Sequence, residues 1–209
     1  MTDRQILFSA PMVRALLAGT KTQTRRMVKP CKDLSVGCEL AACELAGEVN
    51  AGDYSNAKYR PGDRLWVRET CIAEELPDGL DGVRYLADEA FIPIQSTSEA
   101  ADRWLDLRFY GKRQSPVAPV KTVPAIHMPR WASRITLEVT GVRVERSQDI
   151  SEADAMAEGV HYSLLEKIQA GQDRWARHAY KKLWESIHGP GSWDLNPWVW
   201  VVEFKGVAQ

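Results

Sequence analysis

The sequence predicts a mixed α+β domain built round a small, curved sheet or barrel. Three observations lead there. Arg64–Glu69 and Ile135–Val144 alternate polar and apolar residues as half-buried strands do, and Trp198–Phe204 is a third β-rich run. Other stretches, such as Asp173–Ile187, repeat their apolar residues at helical spacing. The connections between the strands differ in length and character, which fits no repeating strand–helix unit. At 209 residues the chain suits a single domain, 1–209, that carries insertions.

Taken in order, Ile6–Phe8 predicts a short strand. Ser9 stands at an N-cap position, Pro11 suits a first turn, and Val13, Leu16 and Leu17 continue a helix that Gly19 can close. The basic run Lys21–Arg26 follows at once. Residues 31–58, rich in Ala, Gly, Cys and acids, read as an irregular insertion. Tyr59-Arg60-Pro61-Gly62-Asp63 forms a turn into the strand 64–69. A second insertion, 77–125, carries a strand at Val83–Leu86, a helix at Ser98–Leu107 and an extended loop over Pro116–Pro124. The strand 135–144 has a candidate bulge at Gly141. Ser151, with Asp154 three residues on, opens a helix that Gly159 closes, and Gly189-Pro190-Gly191-Ser192 ends the helix 173–187 before the last strand.

Hydrophobic residues at 44% and charged residues at 26% exclude a disordered, collagenous or coiled-coil chain. Apolar runs fall far short of the roughly 20 residues of a membrane span, and no secretion signal is visible, so a cytoplasmic protein without membrane contact is expected. The net charge of −1 hides an asymmetry. Residues 1–30 hold six basic residues against Asp3, and 102–146 hold nine against four acidic ones, whereas 147–173 hold Lys167 against six acidic residues. If the basic pieces meet, they make a cationic cleft suited to phosphate-bearing partners. Cys31, Cys38, Cys43 and Cys71 lack C-x-x-C spacing and matching histidines, so reduced thiols are expected, with no metal and no cofactor.

Three groups of residues can carry chemistry. In Gly19–Arg26, the Lys21 ammonium, the Thr22 and Thr24 hydroxyls and the Arg25 and Arg26 guanidiniums suit a phosphate or carbonyl-oxygen site, and a desolvated lysine can serve as base to a threonine. The bland reading is a basic loop solvating a helix end. Glu138, set among apolar residues in its strand, is a candidate carboxylate partner for Lys21, with Glu69 as its rival. A solvent-facing stripe with Thr136 and Thr140 is the plainer account. Finally, His127-Met128-Pro129-Arg130-Trp131-Ala132-Ser133-Arg134 puts a ring among guanidiniums, where Trp131 can stack a base while Arg130 and Arg134 hold phosphate and His127 moves protons.

Gly19-x-Lys21-x-x-Thr24-x-Arg26, then Pro61-Gly62-Asp63-Arg64-Leu65-Trp66-Val67, then Ile135-Thr136-Leu137-Glu138-Val139, resembles the ASCH-domain family of the PUA-like superfamily. With Met128–Arg134 and Trp193-Asp194-x-Asn196-Pro197-Trp198-Val199-Trp200, it is similar to a longer version found in bacteriophages and prophages. The resemblance implies a PUA-like β-barrel of five to six strands with flanking helices and a cleft at its mouth. It also implies binding of RNA or a modified nucleoside. A small bacterial relative is an amidohydrolase acting on N(4)-acetylcytidine, and its triad falls on Lys21 as base, Thr24 as nucleophile and Glu138 as orienting carboxylate. Nearby backbone amides, or Arg25 and Arg26, would stabilise the oxyanion. The alternatives are a non-catalytic RNA-binding module, a metal-independent ribonuclease using His127 and Lys21, and a structural phage protein.

Overall fold

The structure is a computed structural model that describes residues 2–35, 37–111, 122–160 and 175–207. It is a mixed α+β protein, and its chain divides into two compact units. The first comprises the described residues of Met1–Asp3, Ala15–Arg64 and Leu137–Ala208; the second comprises those of Arg4–Arg14 and Leu65–Thr136. The ordered elements are strand β1 (Asp3–Leu7), helix α1 (Ala10–Leu17), strands β2 (Gln23–Met27), β3 (Cys31–Lys32) and β4 (Glu39–Leu40), and helix α2 (Ala42–Asn50). Strands β5 (Arg64–Arg68), β6 (Cys71–Glu75), β7 (Asp81–Tyr85) and β8 (Phe91–Pro93) follow, then helix α3 (Ser98–Arg108). Strand β9 (Thr136–Arg146), helices α4 (Glu152–Ala157) and α5 (Trp175–His188) and strand β10 (Trp198–Val207) complete the chain.

In the first unit the strands run in the order β9-β10-β2. Strand β2 lies antiparallel to β10, with Arg25 opposite Val201, Thr24 opposite Val202 and Gln23 opposite Glu203. Because directly opposed residues share a sheet face, Arg25 lies on the face of Val199 and Val201. That face is roofed by α4 and α5, whose Ala155, Ala176, Tyr180 and Trp184 pack with Ile150, Trp193, Val199 and Val201 into a buried cluster. Helix α4 starts as its sequence dictates: the Ser151 hydroxyl accepts the Asp154 amide at 3.0 Å. At its end Gly159 takes φ +74°, and a Cβ there would lie 2.8 Å from Ala15 Cβ and 2.9 Å from Lys21 Cβ. Only glycine lets these segments meet. On strand β9, the Asn50 amide acts as a surrogate strand, donating to Val144 O and accepting from Val144 N, each at 3.1 Å.

The second unit holds β1 beside β5 and a separate antiparallel sheet, β6-β7-β8. Its core is Cys71, Ala73, Val83, Tyr85, Trp104, Leu107, Val123, Met128 and Ala132. The Trp104 indole N–H donates to Gly82 O at 2.7 Å, and the Tyr85 hydroxyl donates to Ala132 O at 2.7 Å, so both polar tips are satisfied inside it.

Helices α1, α3, α4 and α5 and strands β5, β7, β9 and β10 stand close to their predicted positions. The insertion 31–58 is more ordered than expected, since it holds the β3–β4 hairpin and α2. Within neither unit do the described strands close into the expected barrel: they form open sheets. Helix α5 is described from Trp175, and residues 116–121 of the expected loop lie outside the described residues. No described helix is long and apolar enough to cross a membrane.

Candidate functional site

The basic run after α1 is a strand, not a loop. Gly19, at φ +71°, ends α1, and the backbone amides of Thr20 and Lys21 both turn back to Ala15 O. The chain then pairs with the end of α4 through a bridge between Lys21 and Glu158 and enters β2. This brings the basic segment against the acidic one. Lys21 Nζ lies 2.9 Å from Glu158 Oε2 and 2.8 Å from Glu158 O, with its side chain fully buried. Burial pulls the Lys21 pKa below its ordinary value, and Glu158 opposes that shift. Arg25 reaches Glu145 at 2.6 Å, Asp154 at 3.4 Å and Glu158 at 3.4 Å, with its guanidinium 5.8 Å from the Tyr180 ring centre. Arg143 meets Glu145 at 2.9 Å and Asp154 at 3.1 Å, and pairs with Glu203. The cations of this face therefore spend their charge on internal carboxylates, where the sequence led us to expect an open cationic cleft.

The expected triad is distributed differently. The carboxylate on Lys21 is Glu158; Glu138 pairs instead with Lys205 at 3.4 Å, with Glu138 half-buried and Lys205 exposed. The reason lies in β9: Leu137 and Val139 point into the core, so Glu138 points outward with the polar residues. Thr24 is buried on the β2 face opposite to Arg25, which it shares with Arg26, and Thr22 is exposed. Glu69 belongs to the second unit, where it is buried and grips Arg134 at 2.8 and 2.9 Å. Sequence reasoning missed Glu158, Asp154 and Glu145. The spacing of Asp154 and Glu158, four apart after a Ser151 cap, was the available signal, because it sets two carboxylates on one helix face.

The aromatic-basic segment 127–134 sorts into two environments in the second unit. Arg134 is held from one side by Glu69 and from another by Asp88 at 2.8 and 3.0 Å, and its guanidinium sits 4.1 Å from the Tyr85 ring centre. It is a fixed structural cation under Tyr85. Exposed Arg130 instead reaches outward to the half-buried Trp66, 5.6 Å from its ring centre, and Arg68 lies 5.5 Å from the same ring. Arg68 donates to Gln5 Oε1 at 2.5 Å and to the Ile126 carbonyl, both neutral acceptors. Alternation in β5 explains the face: Leu65 and Val67 are buried, and Trp66 and Arg68 turn outward. Exposed His127 lies against Tyr110 with 5.1 Å between ring centres, the rings tilted by 38°.

Trp131 faces elsewhere. It lines a cavity of about 290 Å³ with Val83, Tyr85, Ile92, Ile94, Gln95 and Arg103. Among the described residues no group of three or more His, Cys, Asp and Glu side chains is placed to hold a metal ion. Cys71 is buried and its thiol is pushed up to about 12 by that burial.

No protein-family model matches the chain, and no curated protein matches it. Among solved structures it is similar to an ASCH domain from Lactobacillus crispatus JV V101, with 10% sequence identity and a TM-score of 0.40, over 98% of this chain and 79% of that one. Roles for individual residues therefore rest on this chain's own geometry.

Proposed function

We propose that the protein binds single-stranded RNA, or a modified nucleoside within it, on the Trp66 face of its second unit. The observation that carries this reading is one half-exposed indole approached by two guanidiniums, Arg68 and Arg130, the first of which donates to the neutral Gln5 Oε1 and Ile126 carbonyl. Single-stranded nucleic acid is recognised by such a combination: an aromatic face stacks a base, and cations beside it meet the phosphates. The ASCH-like motifs 61–67 and 128–134 supply Trp66 and Arg130. Titration with a short single-stranded RNA should quench tryptophan fluorescence, and Trp66→Ala should weaken binding about tenfold, since stacking of one base is worth about 1–3 kcal/mol. Undiminished binding by Trp66→Ala would remove the face from the reading. RNA recovered intact after incubation distinguishes binding from the ribonuclease alternative.

A second reading, hydrolysis of the amide of N(4)-acetylcytidine with Lys21, Thr24 and Glu138 in catalytic roles, has one observation in its favour. Lys21 is a buried lysine whose pKa is drawn down by desolvation, beside a carboxylate. Glu158, which pairs with Lys21, is the rival of Glu138 for the part of the orienting carboxylate. Acetate release by the wild type, lost in Lys21→Ala and Thr24→Ala, would support it. Equal rates in Glu138→Gln and loss in Glu158→Gln would transfer the carboxylate's role to Glu158, and no acetate release from the wild type would dispose of the scheme.

A further inference from the structure

We infer that the cavity beside Trp131 receives one unstacked base of the RNA held on the Trp66 face, an inference that rests on the RNA-binding reading. Arg130 and Trp131 are consecutive residues of one 3-10 turn, Arg130–Ala132; the first reaches the Trp66 ring and the second lines the cavity. The turn that sets Arg130 on Trp66 thus also walls the recess, and a base of a strand lying on Trp66 can pass round it into that recess.

The recess has the composition of a base site. Its apolar walls are Val83, Ile92, Ile94 and Trp131, and Tyr85 contributes a second ring. Tyr85 cannot swing away, because its hydroxyl is fixed to Ala132 O at 2.7 Å and Arg134 lies 4.1 Å from its ring centre. Arg134 is in turn locked by Glu69 and Asp88. A ring so held is pre-organised, which removes an ordering cost from binding. At the rim stand Gln95, whose amide both donates and accepts as a base edge requires, and Arg103, which pairs with Glu99. About 290 Å³ lies at the small end of ligand sites, near 300 Å³. That suits a nucleobase and is too small for a dinucleotide. The walls come from β7, β8, α3 and the segment leading into it, all within the 77–125 insertion, together with Trp131 and Ala132.

The test measures affinity for a short single-stranded RNA at several salt concentrations, using wild type, Ala100→Phe, which fills the recess, and Arg130→Ala. Ala100→Phe should lose affinity about tenfold, the scale of one base contact. Its log–log salt slope should stay unchanged, because no phosphate contact is lost. Arg130→Ala should flatten that slope. An abasic substitution at one RNA position should weaken the wild type and leave Ala100→Phe unaffected. Since Ala100 lies in the first turn of α3, Gln95→Ala at the exposed rim repeats the test without touching the core, and should level the preference among the four bases. If Ala100→Phe and Gln95→Ala bind as the wild type does while Arg130→Ala is weakened, the recess inference falls and the Trp66 reading stands. If all bind equally, both fall. Saturable binding of a free nucleoside, lost in Ala100→Phe, without any binding of RNA, would assign the recess to a soluble nucleoside and overturn the RNA inference.

Discussion

Glu158 joins two buried cations of the first unit. It accepts from Lys21 at 2.9 Å, and Arg25 approaches its other oxygen at 3.4 Å, with both cationic side chains buried. Removing its charge leaves two buried cations short of a partner, and breaking a buried pair costs about 3–5 kcal/mol. Glu158→Gln should therefore lower the melting temperature by many degrees, whereas Glu138→Gln, at a solvent-facing pair with Lys205, should shift it by little. Equal shifts would show that Glu158 is not the keystone of that network. Asp154 gives the network a pH signature. Burial alone would raise its carboxyl, but its hydrogen bond with Ser151 and the charges of Arg143 and Arg25 outweigh burial and hold it below the ordinary value. A group depressed in the folded state contributes stability that is present above its unfolded value of about 4 and lost as the pH falls through the folded value. Acid unfolding monitored between pH 5 and pH 2, on the order of that window, should thus be shallower in Asp154→Asn than in the wild type. Parallel curves would exclude Asp154 as a contributor.

At the scale of elements, two local devices hold the first unit's strands and helices in register. Gly159 allows α4 to close onto Lys21 and Ala15, and Asn50 completes the hydrogen bonding of β9 at Val144. Asn50→Ala removes a hydrogen-bond partner from both the N–H and the C=O of Val144 and should cost about 1–3 kcal/mol by denaturant unfolding. No measurable change would mean that water replaces the amide without loss. The elements also show what a sequence discloses. Helices with a cap and a periodic stripe were legible, as α1, α3 and α4 are, and so were strands rich in branched or aromatic residues, as β5, β9 and β10 are. Strand β6 was not, because Cys71 and Ala73 are its buried residues while Ile72 and Glu74 face outward, so its alternation has no large apolar member inside. Strand β8 is three residues ending in Pro93, too short to carry a period. Helix α2 is capped at Ala41, where Glu44 reaches back to the Ala41 amide without a Ser, Thr, Asp or Asn to announce a cap.

Over the whole molecule, the opposed charge runs visible along the chain do not all serve the same end. Lys21 and Arg25 of the basic segment meet Glu158 and Asp154 of the acidic one, so these charges are paired inside the first unit. The sequence showed that both runs exist; which would meet depends on tertiary pairing, to which no local pattern points. In the second unit the segment 127–134 was legible as aromatic and basic, yet the division of labour within it was not. Arg134 became structural and Trp131 a cavity wall, while Trp66, sixty-odd residues earlier, supplies the outward ring. A net charge of −1 is compatible with RNA binding because local potential, not the total, governs association. The most direct test is the salt dependence of single-stranded RNA affinity in the wild type and in Arg68→Ala. Log affinity should fall linearly with log salt in the wild type, and Arg68→Ala should reduce the slope by about 0.7, the share of one phosphate contact on a single strand. Affinity that ignores salt, or an identical slope in the two proteins, would contradict the assignment of the Trp66 face to RNA.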